Sequence, residues 1–328
     1  MTMAQMNRRD LLRTAAAAAA ATLAAPSLLR AQELRELRMD WATYNPVSML
    51  LRDKGWLEEE FAADGTAITW VQSAGSNKAL EFLNASAIDF GSTAGSAALV
   101  AKINGNPITS IYSYSRPEWT ALVTRADTGI TGVADLAGRS VAVTRGTDAH
   151  IFLLRALADQ GLSERDITAV LLQHADGKTA LIRGDVDAWA GLDPMMAAAE
   201  IEDGAQLFFR NPAANTYGIL NTRDAFLAEQ PEVVARVLSV YERARRHALD
   251  NPDDLKAVTV AATGLSPEVI AIQLDQRTDL TQPRLGQAQR DTILAAGLAL
   301  QGAGVIDAAV DVAGTVDALI DDRLPAAS

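Results

Sequence analysis

From Leu34 onward, short apolar runs of strand character alternate with stretches whose apolar residues recur three and four positions apart. Residues 34–41 read as a first strand. Residues 47–61 follow with helix spacing at Leu50, Leu51, Leu57 and Phe61. Strands at 67–71, 88–90, 108–112 and 119–123 are then separated by helical patterns at 78–83 and 97–103. The rhythm restarts with a short helical turn at 133–136. Strands follow at 140–143, 167–172, 186–190 and 206–209, with helices at 151–160, 178–183 and 195–201. Strands joined through helices predict parallel pairing with helices packed on the sheet faces. After a last strand at 217–220 the pattern is helical: 232–249, 255–262, 267–274, 288–301 and 316–320.

Two stretches predict crossings between lobes, Arg125-Ala126-Asp127-Thr128-Gly129 and Asn211-Pro212-Ala213-Ala214-Asn215. One lobe is then built from residues 32–125 and 215–328, with residues 126–214 inserted as the second. Two lobes joined by two crossing segments can close on a ligand like a hinge.

Ahead of this alternation the chain has another character. Asn7-Arg8-Arg9-Asp10-Leu11-Leu12-Arg13 precedes an alanine-rich run from Thr14 to Ala25. A basic start, a short apolar run and a small residue at Ala31 predict a signal peptide over residues 1–31, and the paired arginines predict the twin-arginine route. The apolar run is too short for a bilayer, which takes about 20 residues. No later stretch approaches that length, so direct membrane insertion after cleavage is not expected.

The full chain has 328 residues, a formal charge of −12 and no cysteine. The leader's four arginines and one aspartate contribute +3, which leaves the remainder at −15. An acidic chain with few aromatics lacks the basic face a nucleic-acid binder needs. Absence of cysteine removes disulfides, thiolate metal sites, iron–sulfur clusters and cysteine nucleophiles. Catalytic signatures are also missing. Gly91-Ser92-Thr93-Ala94-Gly95 places serine one position wrong for a nucleophile elbow, and Gly177-Lys178 lacks the upstream glycine of a P-loop. His150, His174 and His247 have no metal-ligand spacing and read as surface or structural histidines. No cofactor is expected.

A strand, a small polar turn and a helix start recur three times: Gln72-Ser73-Ala74-Gly75-Ser76-Asn77, Gly91-Ser92-Thr93-Ala94-Gly95-Ser96 and Thr144-Arg145-Gly146-Thr147-Asp148. In open α/β sheets ligands bind beyond the carboxyl ends of strands. Helix starts there present unsatisfied N–H groups and about half a positive charge each. Ser76, Ser96 and Asp148 also fit as caps of their own helices. Together the turns predict a cleft for a small anion.

Three segments resemble the periplasmic substrate-binding proteins of ABC transporters for aliphatic sulfonates, relatives of nitrate, taurine and thiamine-precursor binders. They are Gly75-Ser76 with 79–85 and Ile88-Asp89-Phe90-Gly91-Ser92-Thr93; Ser140-Val141-Ala142-Val143 with 146–150 and 153–157; and Asp185-Val186-Asp187-Ala188-Trp189 with Asp193-Pro194. The resemblance spans about residues 34–222. It implies a type II periplasmic-binding-protein fold: α/β, two lobes each with a mixed, mostly parallel sheet flanked by helices, two crossovers, and a ligand bound without reaction.

By position, the resemblance implies donors to the anion at Gly146, Thr147, Asp148, Ala149 and His150, with Ser92 and Thr93 from the other lobe. Thr43, Tyr44 and Asn45 occupy a further contact position. Trp189, Tyr44 and Tyr217 would meet an organic tail, or else belong to the core. Leu192 and Met195 stand where the family has aromatic residues, and Ala94 with Gly95 replaces Gly-Asp. Both changes fall where the tail would be sensed. Asp193 either serves an amine on the ligand or braces its turn. The implied partners are a small organic anion and a membrane permease with its cytoplasmic ATPase; the implied form is a periplasmic monomer. A nitrate-like anion or a neutral aromatic thiamine precursor is the alternative ligand.

Overall fold

The computed structural model describes residues 34–322; the expected leader lies outside them. The first series runs β1 (Glu36–Trp41), α1 (Pro46–Lys54), α2 (Trp56–Phe61), β2 (Ala67–Gln72), α3 (Ser76–Asn84), β3 (Phe90–Ala94), α4 (Gly95–Ile103) and β4 (Ile108–Pro117). The second runs β5 (Leu122–Thr124), β6 (Ser140–Val143), α5 (Asp148–Asp159), β7 (Thr168–Leu171), α6 (His174–Arg183), β8 (Ala188–Ala190), α7 (Met195–Asp203) and β9 (Gln206–Phe209). The chain then returns through β10 (Gly218–Arg223), α8 (Asp224–Glu229), α9 (Pro231–Asp250), α10 (Pro252–Thr263), α11 (Pro267–Ala271), β11 (Thr278–Asp279), α12 (Gln287–Gly302) and α13 (Val312–Leu319).

Two mixed sheets result. The first has the order β11-β4-β10-β3-β1-β2 and the second β7-β6-β8-β5-β9. In the first, β1 is parallel to β2 and β3, whereas β10 is antiparallel to both β3 and β4. In the second, β6 is parallel to β7 and β8, whereas β5 is antiparallel to both β8 and β9. In each sheet, then, the strand that brings the chain across runs against the neighbours it separates.

This corrects the first crossing point. Leu122–Thr124 belongs to the second sheet, so the chain crosses at residues 118–121 and not at 125–129. Arg125 is fastened inside the second sheet's half, donating from Nη1 to the carbonyls of Leu181 at 2.7 Å and Val186 at 2.9 Å. An apolar run announces a strand but does not say which sheet accepts it. The return crossing, residues 210–217, contains the expected Asn211–Asn215 stretch. The two crossings are laced together: Arg210 pairs with Glu118, and Asn215 Oδ1 accepts from the Thr120 N–H at 2.9 Å.

Strand parity distributes the second half's core over two faces. Val141 and Val143 of β6 join Ala188 and Ala190 of β8 against Phe152, Leu153 and Leu157 of α5. Ala142 and Trp189 turn the other way, toward Leu181 of α6 and Met196 of α7. A smaller apolar cluster sets Ala197 and Ala198 of α7 against Val269 of α11.

Candidate functional site

The strand-end turns converge on one small cavity between the sheets. It is lined by Tyr44 and Ser76 from the first half, by Trp119 of the crossing, and by Thr147, Asp148, His174 and Leu192 from the second. Three helices of nine residues or more begin there: α3 at Ser76, α5 at Asp148 behind Thr147, and α6 at His174. None of the three carries a side-chain hydrogen bond at its N-cap. Their leading N–H groups have no partner within the helix, and each start carries partial positive charge. The cavity measures about 10 Å³, room for one water molecule. A larger occupant requires the two halves to part.

The halves meet closely at the mouth. A Cβ on Gly75 would lie 3.3 Å from His174 Nε2, and one on Gly146 would lie 3.6 Å from Asn77 Cβ. Gly146 has φ +78°, the left-handed region that favours glycine.

Behind the first-half wall lies a closed network. Asp40 accepts from the Ser92 N–H and Oγ, each at 2.8 Å; Asn45 Nδ2 donates to Ser92 Oγ at 2.7 Å; and the Tyr44 hydroxyl donates to the Ser92 carbonyl at 2.9 Å. Burial pushes the Asp40 carboxyl up to about 6. Asn45 also caps α1 by accepting from the Ser48 N–H. Thr93 Oγ1 accepts from Asn221 at 2.7 Å, the Ala94 N–H donates to Ser76 Oγ at 3.0 Å, and the Thr43 carbonyl accepts from Gln273 at 3.0 Å. Ser92, Thr93 and Ala94 therefore back the cavity, while Tyr44 and Ser76 face it. The leading amides of α4 are consumed, Gly95 N–H by the Tyr217 carbonyl and Ser96 N–H by Thr216 Oγ1.

On the second-half side, Thr147 lines the cavity, Gly146 stands beside Asn77, and Ala149 is buried in the first turn of α5. Asp148 lines the cavity, and its carboxylate is already saturated by donors of the protein, which leaves its backbone N–H at the helix start as the group that faces an anion. The carboxylate accepts from Ser96 Oγ across the cleft, Trp119 Nε1 at 2.8 Å, Thr216 Oγ1 at 2.9 Å and the Thr216 N–H at 3.1 Å. It thereby ties α5 to α4 and to both crossings. His150 turns away to Glu164 at 3.4 Å, its pKa lowered by burial.

Trp189 is fully buried within the second core and is not among the residues that line the cavity. Asp193 braces its turn: it pairs with Arg277 at 3.2 and 3.3 Å and accepts from the Ala197 N–H at 2.9 Å. Tyr217 donates to Gln282 at 2.9 Å beneath Arg116, away from the lining.

His174, which the sequence reads as a surface or structural histidine, lines the cavity. It is 1% exposed, and neither ring nitrogen has a hydrogen-bond partner. Burial pushes its pKa down to about 3, so the ring is neutral. Asn77 Oδ1 is likewise buried without a partner. The signal was present in the sequence, since Leu171-Leu172-Gln173-His174 repeats the strand, turn and helix start of the other three turns. Leu192 supplies an apolar part of the lining at a position where the resembled family has an aromatic residue. Among the described residues, no three His, Asp or Glu side chains gather to hold a metal ion, and no helix is long and apolar enough to cross a membrane.

Comparison with known proteins fits this geometry. A protein of Escherichia coli (strain K12) named "Putative aliphatic sulfonates-binding protein" is 30% identical over 221 residues, 65% of this chain and 68% of its own length. The alkanesulfonate-binding protein SsuA from Xanthomonas axonopodis pv. citri, solved bound to MOPS, superposes with a TM-score of 0.77 at 26% identity. That superposition covers 86% of this chain and 97% of SsuA. The 4-amino-5-hydroxymethyl-2-methylpyrimidine phosphate synthase of Aspergillus parasiticus is 28% identical over 225 residues, 64% of each chain. The two-sheet architecture is that of the periplasmic binding proteins. Residues 49–255 match the family described as NMT1/THI5 like, and the chain belongs to that family.

Proposed function

We propose that this chain is the exported solute-binding component of an ABC importer. It closes on an aliphatic sulfonate or a similar small organic anion and hands it unchanged to a membrane permease. The observation that carries this reading is the meeting of three helix starts, Ser76, Thr147–Asp148 and His174, at one point between two halves joined by two crossings. Such starts offer amide donors and partial positive charge without a cation, which suits an anion whose charge is spread over several oxygens. Tyr44, Trp119 and Leu192 add an apolar wall. A sulfonate's carbon tail uses that wall, and nitrate does not. Under this reading the chain catalyses no reaction, works as a monomer, and leaves the cytoplasm through its twin-arginine leader.

The test is a thermal-shift panel. Saturation at about 100 times the dissociation constant adds about 2.7 kcal/mol of stability. Alkanesulfonates are expected to raise the melting temperature where carboxylates of the same length do not. No shift with any sulfonate, sulfate ester or nitrate would reject the reading.

A second reading, a pyrimidine-type ligand, is favoured by the Tyr44 and Trp119 rings in the lining and by the synthase relative. There Trp119→Leu weakens binding more than Gly146→Pro does; anion capture predicts the reverse order.

A further inference from the structure

Besides the two crossings of chain, a third connection joins the halves through side chains. It centres on Arg277, the residue before β11. Because β11 pairs with Arg116 and Pro117 of β4, Arg277 is fixed to the edge of the first sheet. Its guanidinium reaches into the second half. Nη1 donates to both carboxylate oxygens of Asp193, at 3.2 and 3.3 Å, and Nη2 donates to Glu200 at 2.5 Å. Arg277 and Asp193 are almost wholly buried. Asp193 stands on the turn before α7, and Glu200 lies within α7. One planar fork thus grips the helix at its root and along its length, which fixes direction as well as position. Beside it Ala197 and Ala198 of α7 pack on Val269 of α11. In turn α11 rests on α10, and α10 on α1 of the first half.

The same knot holds part of the cavity's apolar wall. The Arg277 carbonyl accepts from the Glu118 N–H at 2.8 Å, and the Trp119 carbonyl accepts from the Asp193 N–H at 2.8 Å. Trp119 and Leu192, which follow and precede those partners, line the cavity with Tyr44.

We propose that Arg277 is a positioning residue for capture: it pins α7 to the first half while the cleft opens, so that Trp119 and Leu192 keep their places beside Tyr44. The inference rests on the capture reading above and adds which part of the cleft stays built between ligands.

Pulling Arg277 from Asp193 would strand a buried charge, among the costliest changes a core can undergo. At the mouth the halves meet through Gly75 against His174 and Gly146 against Asn77, neutral groups whose parting strands no charge. Opening therefore turns about Arg277 and widens the mouth. An incoming alkanesulfonate finds the wall for its tail already assembled, and closure brings up the helix starts of α5 and α6.

The experiment measures two distances by pulsed dipolar spectroscopy between nitroxide labels. The chain has no cysteine, so each introduced pair is unique. Ile201→Cys with Glu268→Cys reports α7 against α11, and Glu81→Cys with Asp176→Cys reports the mouth; all four positions are exposed. In the wild-type background 1-butanesulfonate is expected to shorten the mouth distance and leave the α7–α11 distance unchanged. In ligand-free Arg277→Met the α7–α11 distance is expected to lengthen or broaden, and Arg277→Lys should restore it in part. Glu200→Gln, at a half-exposed carboxylate, is the milder variant should Arg277→Met not fold, and it should broaden the same distance. Affinity for 1-butanesulfonate relative to methanesulfonate is expected to fall about tenfold in Arg277→Met, part of what three buried methylenes contribute. A merely structural arginine would lower the melting temperature and leave both that ratio and the distance alone, which overturns the proposal. A wild-type α7–α11 distance that changes with ligand as much as the mouth does overturns it as well. If no sulfonate binds, the capture reading fails, and the ligand-free comparison of wild type with the variants still decides whether Arg277 pins α7.

Discussion

Asp40 and Asp148 are both fully buried carboxylates, one behind the cavity and one at its rim, and their surroundings give them different work. Asp148 is met by four donors and joins four segments of chain. Asp40 is held by the neutral donors of Ser92, and burial raises its carboxyl to about 6. An acid whose folded pKa lies above its unfolded value near 3.9 binds its proton more tightly when folded. Its contribution is therefore favourable at low pH and is lost as pH rises from about 4 to about 6. The slope is at most about 1.4 kcal/mol per pH unit. The expected outcome is a difference in unfolding free energy between wild type and Asp40→Asn that changes steadily over that window and is flat above pH 7, read from urea titrations at each pH. A difference independent of pH would mean that Asp40 is already ionised at pH 4 in the folded chain. None of this was legible in the sequence, where Asp40 is only the polar residue before Trp41 at the end of a strand.

At the scale of elements, Gly177 shows how a helix answers to what it covers. It lies inside α6, where replacement by alanine ordinarily stabilises by up to about 1 kcal/mol. Here a Cβ would stand 2.6 Å from Trp189 Nε1 and 2.8 Å from its Cδ1, and Trp189 is fully buried. Gly177→Ala should therefore destabilise by about 1–3 kcal/mol, the usual cost of overpacking. Denaturant unfolding followed by tryptophan fluorescence checks this, and an increase in stability would show that Trp189 has room to shift. The same contact explains why Trp189 could not be placed in advance. Its strand was legible from the apolar alternation, but the face it takes depends on pairing with β6, which sequence spacing does not specify. The strand and helix rhythm was read well because period 2 and period 3.6 are local properties. The first crossing was misplaced because sheet membership is not local. Among the turns, glycine and serine content marked those after β2 and β6, whose helix starts line the cavity. It also promoted the turn after β3, whose helix amides are consumed by Thr216 and Tyr217, and it passed over the one opening with His174.

For the whole molecule, the cavity volume sets the terms of binding. About 10 Å³ admits no sulfonate, so under the proposed function the form described here is one end of an equilibrium whose other end has the cleft open. Contacts that exist only with the cleft shut set the closed fraction, and apparent affinity scales with the fraction of binding-competent molecules. The tie from Asp148 to Ser96 is the buried bond spanning α5 and α4 beside the crossings. Asp148→Asn keeps the shape of the side chain but turns one acceptor into a donor facing donors already in place, which disfavours the shut form. With a bound alkanesulfonate, small-angle scattering should show the wild-type radius of gyration falling toward that of the closed structure. The ligand-free Asp148→Asn variant should be at least as expanded as the ligand-free wild type, with affinity weaker by about tenfold and the loss carried by faster release. If the variant matches wild type in both scattering and affinity, the tie holds equally in the open and shut forms, and the contacts at Gly75 and Gly146 across the mouth are the ones that govern closure.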